Sequence, residues 1–456
     1  MNRFLPLLFL AACSSSGNYD RPAVELPQAW KESAPRFAED GRWWRIYEDA
    51  SLDLLVEESL KGNADLAVAA ARVDEARALL GEARSFLLPS VDAQASARRQ
   101  QISERAATSF PGVPKEFSSY RATLNVSYEL DLFGRLRSGV QAARAELAAS
   151  EAAREAVRLA LAAQVAKSYF ALRSSEEQVL LTRQTLDLRE EALGLQRKRH
   201  RAGVIGDFEL RQLEAEVAAA RAQLPGFEQA REREEAALQV LLGRSPRQVF
   251  ESELRTGPGG RQLLAPVVPS GIPSELLLRR PDLVEAERRL AAANARVAVA
   301  RSEMFPSIAL TAELGSESAS LSSLFAANAA VWTLAAAVTQ PIFAGGRIEA
   351  RTAAAEARER AVLAQYQQTV RTAFSEVRTA LVSQSRTRES YEAESVRAEA
   401  LAETLRLARL RYENGIASQL DVIDAERGLL AARAARIEAL RAHRAAVADL
   451  FRALGG

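Results

Sequence analysis

Tyr120-Arg121-Ala122-Thr123-Leu124-Asn125-Val126-Ser127-Tyr128-Glu129-Leu130-Asp131-Leu132 alternates apolar and polar side chains. Successive side chains of an extended chain point to opposite faces. Tyr120, Ala122, Leu124, Val126, Tyr128 and Leu130 therefore share one face, and Arg121, Thr123, Asn125, Ser127 and Glu129 the other. Residues 90–98 do the same, with Val91, Ala93, Ala95 and Ala97 against Asp92, Gln94, Ser96 and Arg98. Two later stretches repeat the pattern. Ile308, Leu310, Ala312 and Leu314 alternate with Ser307, Ala309, Thr311 and Glu313, and Trp332, Leu334, Ala336 and Val338 with Thr333, Ala335, Ala337 and Thr339. Such alternation fits a half-buried strand of a soluble sheet or a strand of a transmembrane barrel. Two features favour the barrel. The strands form two hairpins with polar loops near 100–119 and 315–329, and each hairpin is flanked by very long helix-forming stretches that offer no second sheet layer. Four strands cannot close a barrel, and open edges are not tolerated in lipid. The wall must be shared between two, three or four chains.

Working outward, residues 137–201 and 347–414 are nearly unbroken helix formers. About 60 residues at 1.5 Å each give about 90 Å. Gly203 and Gly415 stand past their ends, placed as C′ caps. Returning helices are expected over 207–242, containing Pro225-Gly226, and over 419–454. A helix over 63–85 added to the returning helix matches the long one in length, so each half reads as one long helix beside two short ones stacked end to end. Val140, Ala143 and Leu147, then Ala153, Val157 and Leu161, with small Ser150 between them, lie at helical spacing and suit close helix packing. By periodicity alone a structural coiled coil fits as well.

The plan occurs twice, at a separation of about 210 to 217 residues. Asp65-Leu66 aligns with Asp282-Leu283, Ala83-Arg84-Ser85 with Ala300-Arg301-Ser302, and Pro89-Ser90-Val91 with Pro306-Ser307-Ile308. A repeat this long is a duplicated unit rather than a solenoid. The expected division is a signal segment 1–12, an anchor and N-terminal segment 13–62, a first repeat 63–242 with its hairpin at 88–132, a linker 243–280, and a second repeat 281–456 with its hairpin at 305–341.

Met1-Asn2-Arg3 followed by Phe4-Leu5-Pro6-Leu7-Leu8-Phe9-Leu10 has the pattern of a secretory signal, too short to span a bilayer. Leu10-Ala11-Ala12-Cys13 before Ser14 resembles a lipobox, and Cys13 is the only cysteine. It is the candidate lipidation site; the serine after it resembles an outer-membrane sorting signal.

Composition narrows the function. Of 456 residues, 48% are hydrophobic and 26% charged, a globular balance. Sixty basic against 59 acidic side chains leave a formal charge of +1, which argues against a dedicated nucleic-acid binder. One cysteine and two histidines, His200 and His443, argue against a metal cluster. Both histidines are expected on solvent-facing helix surfaces. Gly345-Gly346 and Gly257-Pro258-Gly259-Gly260 lack the lysine and hydroxyl of a phosphate loop, and no nucleophile motif occurs.

Trp43-Trp44-Arg45-Ile46-Tyr47, Tyr128-Glu129-Leu130-Asp131-Leu132-Phe133-Gly134-Arg135 and Leu277-Leu278-Arg279-Arg280-Pro281-Asp282 resemble signatures of TolC-type outer-membrane factors. So do Ala291-Ala292-Ala293-Asn294-Ala295-Arg296 and Phe305-Pro306-Ser307-Ile308. The resemblance covers nearly the whole chain after Cys13 and is strongest to the lipoproteins that serve resistance-nodulation-division pumps. It implies a mixed α and β fold in a Gram-negative outer membrane. In that family three chains build a twelve-stranded barrel and long antiparallel helices form a coiled-coil tunnel through the periplasm, and the resemblance implies the same here. It implies a homotrimer that moves drugs or other small molecules, with a periplasmic adaptor and an inner-membrane pump as partners. It implies no enzyme activity, and no cofactor beyond the lipid on Cys13. A type I secretion duct and a non-channel coiled-coil lipoprotein are the alternatives.

Asp421 and Asp424, at i and i+3 after the second turn, resemble the family's paired aspartates at the pore constriction. Ser418 and Asp421 also have the spacing of a helix N-cap. The first repeat has Glu209 and Gln212 in the equivalent places. Arg197, Lys198, Arg199 and Arg201, beside His200, either complement a helix C-terminus or offer an adaptor-docking surface, with Arg409 and Arg411 as further candidates.

Overall fold

The computed structural model describes residues 21–22, 41–103, 105, 115–251, 254 and 279–456. The expected signal segment, Cys13, much of the first hairpin loop and residues 257–260 lie outside the described residues. In chain order the described elements are α1 (Ala50–Gly62), α2 (Ala64–Ser85), β1 (Ser90–Gln101), β2 (Glu116–Glu129), α3 (Arg135–Arg201), α4 (Asp207–Leu241) and α5 (Pro246–Glu251). They continue with α6 (Pro281–Ser302), β3 (Ser307–Ser318), β4 (Ala330–Thr339), α7 (Arg347–Glu413) and α8 (Gln419–Leu454). The chain divides into two compact units.

The first unit, Met1–Ala23, Arg72–Glu151 and Glu285–Gln367, holds one four-stranded antiparallel sheet in the order β1-β2-β3-β4. Its register carries the sequence pattern across all four strands. Ala93 pairs with Leu124, Leu124 with Leu314, and Leu314 with Trp332. Residues directly opposite in a ladder share a face, so the four apolar sets expected from alternation form one continuous face. Asp92, Asn125, Glu313 and Thr333 line up on the other. β2 begins four residues earlier than the alternation suggested and ends at Glu129 instead of Leu132. The chain turns there because the Glu129 carboxylate takes both arms of the Arg135 guanidinium, at 3.0 and 2.6 Å. Gly315 lies where β2 and β3 approach most closely. A Cβ there would stand 2.1 Å from the Ala122 carbonyl oxygen.

The second unit comprises Val24–Ala71, Ala152–Val284 and Gln368–Gly456. Its core sets six aromatic rings among aliphatic side chains. Trp43 stacks on Phe451 with centroids 5.4 Å apart, and Tyr47 meets Phe170 edge-on at 4.6 Å. Arg444 lies over Phe170 at 5.1 Å. The buried hydroxyls are satisfied: Tyr47 donates to the Arg444 carbonyl and Tyr169 to Asp49, each at 2.7 Å. Asp49 in turn caps α1. α1 and α5 occupy stretches to which the sequence reading gave no element.

Two joints in this unit hold the short helices end to end. Asn63 accepts from the Asp65 and Leu66 amides at 2.9 and 3.2 Å, capping α2. Its amide nitrogen donates to the Leu241 carbonyl at the end of α4, at 3.0 Å. One side chain thus serves orphan groups of two helix ends. Gly62 and Gly243 let the backbones touch, since a Cβ on Gly243 would stand 2.0 Å from the Gly62 carbonyl oxygen. At the second joint Arg280 replaces asparagine. It donates to the Ala453 carbonyl at the end of α8, at 3.0 Å, and to Asp282 and Glu376, each at 2.7 Å. Asp282 accepts from the Leu283 amide as α6 starts. Pro225 removes one ladder donor from α4, and the helix continues through it to Leu241.

His443 departs from expectation. It is buried, 1% exposed, with Nδ1 3.4 Å from the Thr387 hydroxyl. α8 packs its Ala and Leu positions inward, and residue 443 falls on that face beside Leu440, Ala446 and Val447. His200 lies at an exposed helix end and meets Asp207 at 2.8 Å.

Arg280→Ala is expected to destabilise the protein by about 2–3 kcal/mol, since it strips partners from a carbonyl and two carboxylates. Thermal denaturation reads this; an unchanged midpoint contradicts the joint. Burial, then the Arg388 charge, holds the His443 imidazole below the usual histidine range. The folded chain therefore keeps it neutral where the unfolded chain takes up a proton, near pH 6.5. Stability is expected to be lost as pH falls below that point. His443→Leu is expected to lessen the loss between pH 7.5 and 5, and an unaltered pH profile would count against it.

Candidate functional site

Two surfaces carry chemistry, one in each unit. In the second unit they are the turns after α3 and α7. Gly203 has φ +70° and Gly415 φ +71°. The amide of Gly203 donates to the His200 carbonyl and that of Val204 to the Arg199 carbonyl, both at 2.9 Å. Gly415 and Ile416 repeat this on Tyr412 and Arg411, at 3.0 and 2.8 Å. Both are Schellman turns. An L side chain at that φ costs about 1–2 kcal/mol, which explains glycine at both places. Each turn leaves apolar side chains exposed, Val204 and Phe208 in one, Ile416 and Leu420 in the other.

α8 starts with a capping box. Ser418 Oγ accepts from the Asp421 amide at 3.3 Å, and Asp421 accepts from the Ser418 amide at 2.8 Å. The Ser418 bonds hold the Asp421 carboxyl below the usual carboxylate range. Ile423 is buried with Leu193, Leu210, Leu213 and Val217, which sets the rotation of α8 and leaves Asp421 and Asp424 exposed.

Asp424 begins a chain of charges that runs inward. It lies 3.6 Å from Arg427, whose Nε donates to Glu216 at 2.9 Å. Arg189 completes it, 3.1 Å from the Glu216 carboxylate and bonded also to the Glu216 carbonyl. Glu216 and Arg189 are both buried, so α3, α4 and α8 are tied by a compensated interior charge. Sequence reasoning compared Glu209 and Gln212 and passed over Glu216. The available signal was a carboxylate on the apolar stripe of Leu213, Val217 and Ala220, a position that demands a buried cation.

The basic run is dispersed over several partners. Arg197 pairs with Glu214 at 3.0 Å, and Arg197 and then Arg211 hold that carboxyl low. Arg199 and Gln196 reach the Tyr412 hydroxyl at 3.4 and 3.3 Å. Arg201 donates to the Arg197 carbonyl. Lys198 and Arg411 are exposed, and Arg409 pairs with Glu426 at 2.7 Å. No group of three or more potential metal ligands occurs among the described residues.

In the first unit the site is the sheet itself. On the polar face Arg121 pairs with Glu313 and lies 3.9 Å from Glu317, clamping β2 to β3. The apolar face has no cover: Trp332 is 77% exposed, Leu334 76% and Val338 68%. Each such side chain forgoes about 1.5–3 kcal/mol in water, so this face requires lipid or protein against it. Among the described residues no helix is long and apolar enough to cross a membrane.

Residues 55–244 and 272–456 match the family described as "Outer membrane efflux protein". The chain is 35% identical to the outer membrane protein OprJ of Pseudomonas aeruginosa, covering 100% of this chain and 95% of that one. It is 32% identical to the cation efflux system protein CusC of Escherichia coli O6:H1, covering 99% and 97%. Among solved structures it resembles the Campylobacter jejuni CmeC outer membrane channel with a TM-score of 0.90 at 27% identity, covering 97% and 95%.

Glu216→Ala is expected to cost about 3 kcal/mol because it strands buried Arg189. Arg427→Ala is expected to cost less, because Arg427 is half-exposed. Denaturation midpoints of the two variants check the order, and equal losses contradict it.

Proposed function

We propose that this chain, which belongs to the outer membrane efflux protein family, is the passive duct of a tripartite exporter. It is an outer-membrane channel component, and three copies form the conducting unit. The observation that carries this reading is the sheet: an apolar face without cover, a charged face opposite, and an unpaired strand at each edge. Lipid against the first face and water against the second suit a barrel wall. The closed edge requirement of a bilayer supplies the reason to assemble, and the family supplies the number three.

On this reading Asp421 and Asp424 ring the constriction. Three copies would contribute six carboxylates and favour cations. Within one chain the Ser418 bonds favour the charged form of the Asp421 carboxyl. Arg197, Lys198, Arg199, Arg201, Arg409 and Arg411, with the exposed aliphatic residues of the two glycine turns, are the proposed surface for a periplasmic adaptor. The inner-membrane partner is a resistance-nodulation-division pump, which selects drugs or other small molecules that the duct conducts without transforming. Lipid on Cys13 tethers the chain to the membrane, and Arg21, eight residues on, is held by Glu287 through its Nε at 2.8 Å.

Purified protein in planar bilayers is expected to conduct and to prefer cations. Asp421→Asn with Asp424→Asn is expected to lower the cation-to-anion permeability ratio at least two-fold. Absence of conductance would refute the duct; unaltered selectivity would remove only the constriction role.

A further inference from the structure

Arginine opens both long helices of the duplicated plan. After each hairpin loop the repeats correspond at a spacing of 212 residues: Arg135 and Arg347 begin α3 and α7, and Gly203 and Gly415 cap them. A cation at the start of a helix opposes the helix dipole, so an anion beside each arginine is favoured. The first repeat supplies one, because Glu129 takes both arms of Arg135. At the same spacing Glu129 corresponds to Pro341 and Asp131 to Phe343. The second repeat therefore lacks both carboxylates and keeps the arginine.

Both arginines line one cavity of the first unit, about 290 Å³ in volume. Leu130, Leu132, Phe305 and Ile348 are among its apolar walls. Three carboxylates also line it, and each is already matched: Glu129 with Arg135 at 2.6 Å, Asp131 with Arg137 at 3.3 Å, and Glu303 with Arg351 at 2.9 Å. Arg347 is exposed, and its side chain has no hydrogen bond or ion pair among the described residues. Glu349 shares its helical turn, but residues two apart on a helix do not face each other. Four arginines thus meet three carboxylates, and the charge left over is that of Arg347.

The cavity stands at the end of the sheet where β2 and β4 finish, at Glu129 and Thr339, and where β1 and β3 start. Large apolar side chains are exposed at that end: Phe86 60%, Leu88 67%, Ile342 90% and Phe343 91%. Ile342 and Phe343 lie in the chain between Pro341 and Arg347, two of the cavity's own residues. The long helices leave from this end. In the barrel-wall reading above it therefore meets the periplasmic leaflet, where an apolar band gives way to headgroups.

Resting on that reading, we propose that the cavity binds an anionic phospholipid of the periplasmic leaflet: the Arg347 guanidinium holds its phosphate, and Ile342 and Phe343 lie against its acyl chains. The fork of guanidinium N–H groups matches two phosphate oxygens at once. A free phosphate would leave both apolar side chains in water, which favours the lipid. The first repeat has no equivalent site, because Glu129 already occupies Arg135.

Native mass spectrometry of the full-length protein, taken from detergent micelles containing phosphatidylglycerol or phosphatidylcholine, counts the lipid retained per chain. The unsubstituted protein is expected to prefer phosphatidylglycerol. Arg347→Gln is expected to lower that retention about five-fold, the contribution of one arginine at an anionic surface, and Arg347→Lys to keep most of it. Pro341→Glu restores the carboxylate of the first repeat beside Arg347 and is expected to release the lipid as Arg347→Gln does. Conductance in planar bilayers verifies that each variant still assembles. Equal retention of the two lipids, or undiminished phosphatidylglycerol on conducting Arg347→Gln, overturns the site. A phosphate adduct lost with Arg347→Gln while phosphatidylglycerol stays bound overturns the lipid as its occupant. Unsubstituted protein that does not conduct overturns the barrel reading instead.

Discussion

Inside a bilayer there is no water to satisfy a peptide group. An unpaired N–H or C=O there costs several kcal/mol. Among the described residues the sheet has four strands and two free edges, and its apolar face is the one that would meet lipid. Neither edge is satisfiable alone. Both find partners if copies join edge to edge, so assembly is a condition for the sheet to exist in the membrane. The proposed duct requires that wall to be closed.

The same economy of parts appears in the second unit. Short helices meet end to end at two joints, and the orphan helix termini are satisfied by one side chain at the first joint and by two at the second. Asn63 uses its two polar atoms for two helix ends. At the other joint the Arg280 guanidinium, held by Asp282 and Glu376, serves the end of α8, and Asp282 serves the start of α6. Burial alone disfavours the arginine charge, and the two carboxylates more than restore it. Duplication thus preserved the geometry of the joint while its chemistry diverged. The glycine turns diverged similarly: they are alike to the hydrogen bond, but one is followed by Ser418 and Asp421 and the other by Gly206 and Asp207.

Much of this was legible in the sequence because it depends on period and on backbone conformation. Alternation identified all four strands and their faces. Glycine marked both left-handed turns, and uninterrupted helix formers marked the two 67-residue helices. What was not legible depends on which helix faces which. His443 reads as a polar residue on a helix, and only the packing of α8 against Thr387 shows it to be interior. Glu216 and Arg427 are 211 residues apart, so no local pattern connects them. The end of β2 was misplaced by three residues because apolar Leu130 and Leu132 continue the alternation after the Glu129–Arg135 pair has already turned the chain. Asp421 and Asp424 were visible as a pair, while the charge relay behind Asp424 was not.

Amide hydrogen exchange on the purified protein in detergent or lipid tests the central claim most directly. Outward-directed amides of β1 and β4 have no ladder partner among the described residues of one chain. If edges close between copies, they will exchange as slowly as the amides shared by β2 and β3. Fast exchange confined to those two strands, in protein that is otherwise protected, would contradict a closed wall.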